Sequence, residues 1–217
     1  MKNLLYREVC LENYTDLPQA VLDGADRIEI CDNLAVGGTT ISKGVMGEAI
    51  KYTHEKNIPL VILVRARGGN FVYNDIELKI MEADILEAQA LGADAVCIGA
   101  LTADGQVDYE AMETLIAAAG GMELVFNMAF DELNFDEQKQ TIDWACEQGF
   151  SRILTHGGPK DTPIEANLEH LKELIAYADK RITILPGGKI TAKNAQAVAD
   201  ALQVTAVHGT KLLAWSR

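Results

Sequence analysis

Two arginines, Arg65 and Arg67, follow the apolar run Leu60 to Val64 and are separated by a single residue. Side chains of an extended chain alternate, so this spacing sends both guanidinium groups to one face. A buried guanidinium is costly without an anion, and the pair therefore calls for carboxylates of the same chain or for an anionic ligand. Glu8 and Glu29 supply carboxylates within two other apolar runs, and His208 lies near the end of the chain. Together these groups offer acid–base chemistry from Glu8, Glu29 and His208 beside an anion clamp from Arg65 and Arg67. The plain alternative is a closed ion-pair network in which the two glutamates neutralise the two arginines and no ligand takes part.

The elements that must hold these residues alternate along the chain. Strand-like runs fall near Leu5 to Cys10, Arg27 to Cys31, Leu60 to Ala66, Ala95 to Ala100, Leu124 to Ala129, Arg152 to Thr155, Ile182 to Leu185 and Thr205 to His208. Between them, apolar residues recur at three- and four-residue spacing, as in Met112, Leu115, Ile116 and Ala119, the stripe of an amphipathic helix. Gly-Ala-Asp stands before the second and fourth runs, where a glycine closes a helix ahead of a buried strand. Eight such units without a composition break predict a single (β/α)8 TIM barrel over residues 1–217, its final helix short or missing, with Trp215 and the tail available to cover the gap. A doubly wound open sheet is the second choice, weakened because no glycine-rich phosphate loop follows the first strand.

Alternation then sorts side chains by face. Val9, Ile28, Ile30, Leu60, Ile62, Val64, Val96, Ile98 and Val207 belong under helices, which turns Tyr6, Glu8, Cys10, Arg27, Glu29, Cys31, Arg65, Arg67, Cys97 and His208 toward the barrel axis. Strands five and six, with Asn127, Met128, Thr155 and His156, are ambiguous by this test. Barrel interiors are ordinarily filled by branched aliphatics, so charged groups near the strand ends read as a functional mouth. Gly187 and Gly188 precede Thr191, a possible helix cap, and Gly209 follows the last strand; these glycine turns form either an anion seat or simple tight turns.

Composition removes several function classes. A net charge of -13 speaks against nucleic acid or an anionic membrane as partner, and no apolar run approaches the roughly 18 residues of a membrane span. A cytoplasmic protein is expected. Its four cysteines, Cys10, Cys31, Cys97 and Cys146, include no CxxC pair and are expected to be free thiols. No lysine lies in an interior strand run, which weakens Schiff-base chemistry, no HExxH marks a hydrolytic zinc site, and no organic cofactor is indicated.

Linked motifs carry a resemblance. Glu8-Val-Cys10, Asp26-Arg-Ile-Glu-Ile-Cys31, Gly37-Gly-Thr-Thr40, Arg65-Ala-Arg-Gly-Gly69, Gly99-Ala-Leu-Thr-Ala-Asp-Gly105, Ala129-Phe-Asp131, Ile153-Leu-Thr155, Pro186-Gly-Gly188 and Val207-His-Gly209 make the chain similar to the copper homeostasis protein CutC family from about Arg7 to Thr210. The resemblance implies a (β/α)8 barrel, a cytoplasmic location, a homo-oligomer with a dimer favoured, and Cu(I) binding by Cys10 and Cys31, with Cys97 as a possible third sulfur. Thiolates are soft donors suited to Cu(I), although buried cysteine also serves as a small hydrophobe. The chain departs from the family pattern where Phe126-Asn-Met-Ala-Phe-Asp131 replaces Phe-His-Arg-Ala-Phe-Asp, and His156 and Lys189 are further departures, which either restore polarity at the mouth or are solvated, the second being expected. Two functions follow. One is a copper-handling protein; the other is an enzyme on a small anionic or phosphorylated metabolite, with Arg65, Arg67, Asn127, Gly187, Gly188 and Gly209 binding it and Glu8, Glu29 and His208 moving protons.

Overall fold

The computed structural model describes residues 4–213. Eight strands, β1 (Tyr6–Glu12), β2 (Arg27–Cys31), β3 (Leu60–Leu63), β4 (Ala95–Ile98), β5 (Glu123–Phe126), β6 (Arg152–Thr155), β7 (Thr183–Pro186) and β8 (Ala206–Gly209), all pair in parallel in the order β7-β6-β5-β4-β3-β2-β1-β8. The ladder does not continue from β7 to β8. Just beyond their ends, a parallel bridge between Thr191 and Lys211 spans that junction, with the Ala192 N–H donating to the Lys211 carbonyl at 2.8 Å. The result is a nearly closed (β/α)8 barrel.

Among the described residues seven α-helices cover it: α1 (Leu17–Leu22), α2 (Lys43–Lys56), α3 (Asp75–Leu91), α4 (Tyr109–Ala119), α5 (Phe135–Glu147), α6 (Leu168–Ala178) and α7 (Ala195–Leu202). Among the described residues none follows β8, as expected, and Trp215 lies outside them. Also among the described residues, no helix is long and apolar enough to cross a membrane. Side-chain caps start several of the helices: Asn74 and Glu77 form a capping box on α3, and Asn134 caps α5. The Gly-Ala-Asp repeat has two tasks. Gly92 takes a left-handed conformation (φ 86°) that ends α3, and two residues later the Asp94 carboxylate accepts the Leu60 N–H of the neighbouring strand at 2.8 Å. Asp26 does the same for the Arg7 N–H at 2.8 Å. The aspartate thus fixes strand register at the barrel's lower rim.

Face assignment follows the alternation. Val9, Ile28, Ile30, Leu60, Ile62, Val64, Val96, Ile98 and Val207 pack beneath the helices, while Cys10, Cys31, Val61, Leu63, Ala95, Cys97, Val125, Leu154 and Leu185 form a separate inner cluster. Two sequence expectations need correction. Strand β3 ends at Leu63 rather than Ala66, because Arg65 already exchanges hydrogen bonds with Thr40 of the preceding loop. Thr191 does not cap α7: that helix begins at Ala195, and the Thr191 N–H is instead held by Asn194 Oδ1 at 2.7 Å.

Candidate functional site

At the C-terminal ends of the strands lies a cavity of about 410 Å³. Cys10, Glu29, Cys31 and His208 reach it from β1, β2 and β8; Leu34, Leu63, Phe71, Met128, Leu154 and Ile190 form apolar wall; Gly37, Arg65, Asn127, Lys160, Gly188, Lys189, Thr191, Gly209, Thr210 and Lys211 complete the lining.

Below the cavity the barrel carries a charged layer centred on Glu8, which is fully buried. Its Oε1 accepts the Nδ1–H of His208 at 2.8 Å, while Oε2 pairs with Arg27 and lies 3.6 Å from Arg152 Nε. Arg152 in turn bonds Glu123 at 2.6 Å. Burial alone would raise the Glu8 carboxyl, but the hydrogen bond and charge of His208, with the charges of Arg27 and Arg152, bring it down to about 2. His208 moves the other way: burial disfavours its cation, yet the charge of Glu29 and the bond to Glu8 outweigh that and raise it. Glu29 is raised, chiefly by burial, with the Glu8 charge adding to the effect. Neighbouring carboxyls are therefore pushed in opposite directions, Glu8 down beneath the cavity and Glu29 up on its wall beside an imidazole.

The thiols meet at the same floor. Cys10 Sγ lies 4.0 Å from Cys31 Sγ and 3.8 Å from Glu29 Oε1, and His208 Nε2 is 3.9 Å from that same carboxylate oxygen. One ligand atom each from Cys10, Glu29 and His208 falls within 4.8 Å of the others, a grouping compact enough to hold a metal ion. The hydrogen bond with Cys31 and burial push the Cys10 thiol well above its usual range, and burial with Glu29 does the same to Cys97. Cys97 belongs to the inner cluster without reaching the cavity wall, and all four cysteines are free.

Arg65 is buried, but glutamate does not hold it. Nη1 donates to the Val36 and Gly38 carbonyls, each at 2.9 Å, and Nη2 to Gly69 at 2.6 Å, with the guanidinium 4.6 Å over the Phe71 ring. Arg67 is absent from the cavity. It pairs with Glu77 at 2.5 Å and donates to the Val72 carbonyl at 2.7 Å, because the chain has left the strand and the two-residue parity no longer applies. The closed network of Glu8 and Glu29 with Arg65 and Arg67 does not form; Arg27, Arg152 and His208 take that role. Asn127 Oδ1 caps the 3₁₀ turn Met128–Glu132 through the Ala129 N–H at 2.9 Å, leaving Nδ2 without a partner.

Gly188 and Gly209 line the cavity, whereas Gly187 sits one step behind, its carbonyl 2.9 Å from His156 Nδ1. His156 is not solvated: it is fully buried, with Nε2 3.0 Å from the Thr162 carbonyl, and ties the loops after β6 and β7 together. Since α7 starts only at Ala195, the expected seat of glycine amides beside a helix start is not built; Lys189, Thr191, Thr210 and Lys211 stand there instead. Sequence reasoning missed Arg152 and Lys160. The Arg-Ile-Leu-Thr run of β6 gives no parity signal because Ile153 and Leu154 are both apolar.

The CutC family model matches residues 5–213. The chain belongs to the CutC family. A CutC family protein of Enterococcus faecalis is 56% identical over 209 residues, covering 96% of this chain and 100% of that one. The human copper homeostasis protein cutC homolog is 37% identical, with 93% of this chain and 71% of the human chain covered. The crystal structure of a copper homeostasis protein CutC from Streptococcus agalactiae superposes with a TM-score of 0.93 at 48% identity, covering 96% of this chain and 100% of that chain. A deoxyribose phosphate aldolase from Aeropyrum pernix, at TM-score 0.69 and 10% identity over 95% of this chain and 86% of its own, shares the barrel fold alone. In this CutC chain Asn127 and Met128 stand at the mouth.

Proposed function

We propose that this CutC-family protein handles copper in the cytoplasm by binding Cu(I) between Cys10 and Cys31. The observation that carries the reading is the pair of sulfurs 4.0 Å apart at the end of β1 and β2. With metal–sulfur bonds of about 2.3 Å, that separation lets both sulfurs reach one ion at an angle of roughly 120°. Thiolate ligands and an apolar wall suit a soft monovalent cation. Glu29 and His208 stand beside the sulfurs, and a protonated His208 offsets the negative charge that two thiolates and one Cu(I) would leave. The Cys10 proton must depart first, which couples capture of the ion to pH. A homo-oligomer, with a dimer favoured, belongs to the same proposal.

The test is competition for Cu(I) against a chromophoric chelator under anaerobic conditions, using the parent protein and a Cys10→Ser/Cys31→Ser variant. The reading expects one ion per chain in the parent and its loss in the variant. Equal withdrawal of copper by the two proteins removes it.

A further inference from the structure

The cavity is much larger than one ion requires, and part of its lining is left unused by the copper reading. Asn127 Nδ2, Glu29 Oε2 and Arg65 Nε have no hydrogen-bond partner, although each residue is only 3% exposed and lines the cavity. Buried polar atoms are normally satisfied, so three on one cavity point to a polar occupant. Two are donors and one belongs to a carboxyl group, which calls for hydroxyl groups able both to accept and to donate. Charge on the lining is equally unbalanced. In a chain of net charge -13, Lys189 and Lys211, both exposed at the rim of this cavity beside Thr191 and Thr210, have no carboxylate partner among the described residues, and Arg65 is held by carbonyls alone. A cavity rimmed by unneutralised cations concentrates anions. Leu63, Leu154 and Phe71 supply apolar wall suited to a short carbon skeleton, and the volume of about 410 Å³ falls in the range of small-molecule sites.

We infer that this cavity binds a small hydroxylated organic anion. Its phosphate or carboxylate meets Lys189 and Lys211, and its hydroxyl groups complete Asn127 Nδ2 and Glu29 Oε2. The inference goes beyond copper and uses neither thiol, so it stands or falls separately. Bound there, the molecule lies against Glu29 and the imidazole of His208, the groups of this mouth able to move a proton.

Titration calorimetry on the metal-free protein at low ionic strength tests it with four probes: sorbitol 6-phosphate, gluconate, sorbitol and inorganic phosphate. At least one hydroxylated anion should bind tenfold or more tighter than both sorbitol and inorganic phosphate, and the better of the two tells phosphate from carboxylate. A Lys189→Gln/Lys211→Gln variant should lose that binding tenfold or more. Asn127→Asp, which keeps the capping oxygen and removes the donor, should weaken it as well. Lys43→Gln, a charge change on the surface of α2, should not. No binding of either anion at millimolar concentration, inorganic phosphate or sorbitol binding as well as the better of the two hydroxylated anions, or equal losses with Lys43→Gln would each overturn the inference.

Discussion

Replacing Glu8 by glutamine removes the charge on which the buried layer converges while keeping its size. In the folded protein the carboxyl is held down to about 2 against an ordinary glutamate value of 4.5, although it is wholly buried. That gap corresponds to about 3 kcal/mol of folding free energy once the group is ionised in both states. A depressed carboxyl stabilises above its unfolded value, and the contribution fades as pH falls toward the folded value. Between neutral pH and about pH 3 it should therefore shrink from about 3 to about 1 kcal/mol. The substitution also leaves Arg27 and Arg152 without their shared anion, consistent with the ~3–5 kcal/mol cost of breaking a buried ion pair. Urea unfolding of parent and Glu8→Gln protein across this pH range gives the difference directly. A penalty that is independent of pH, or below about 1 kcal/mol at neutrality, would refute the assignment of Glu8 as the anionic centre of the layer.

Further outcomes follow from the same geometry. Arg65→Lys cannot reproduce a fork that bonds the Val36, Gly38 and Gly69 carbonyls, so it should cost about 2 kcal/mol and speed amide exchange in both loops, read by hydrogen-exchange mass spectrometry. Gly38 has φ 92°, and a Cβ there would lie 2.6 Å from Leu63 Cδ2 and 3.4 Å from Cys31 Sγ. Gly38→Ala should destabilise by about 1–3 kcal/mol in thermal unfolding and weaken Cu(I) binding in the chelator competition. Because the Cys10 thiol is held well above its usual range, apparent Cu(I) affinity should rise about tenfold per pH unit for that proton through neutrality, and a flat profile would contradict thiolate ligation.

The barrel was legible because strand periodicity and helix stripes repeat without interruption, and because most strands, β5 and β6 apart, have a clear apolar parity, as at Val9 and Val207. The same parity brought Glu8, Glu29, Cys10, Cys31 and His208 to the axis, but it says nothing about depth, so it could not separate Glu8 below the cavity from Glu29 on its wall. It failed at Arg67, where the chain had already turned into a loop and pairing with Glu77 of α3 decided the direction. Partner choice was likewise hidden. Arg152 reaches Glu8 across the barrel from β6, and Lys189 and Lys211 approach through a bridge between loops, contacts that only closure of the sheet creates.

The most direct test is X-ray absorption at the copper edge of the Cu(I)-loaded protein. The account predicts two sulfur scatterers at about 2.3 Å, both lost from the Cys10→Ser/Cys31→Ser variant. A first shell of nitrogen and oxygen alone, or one unchanged by the double substitution, would contradict it.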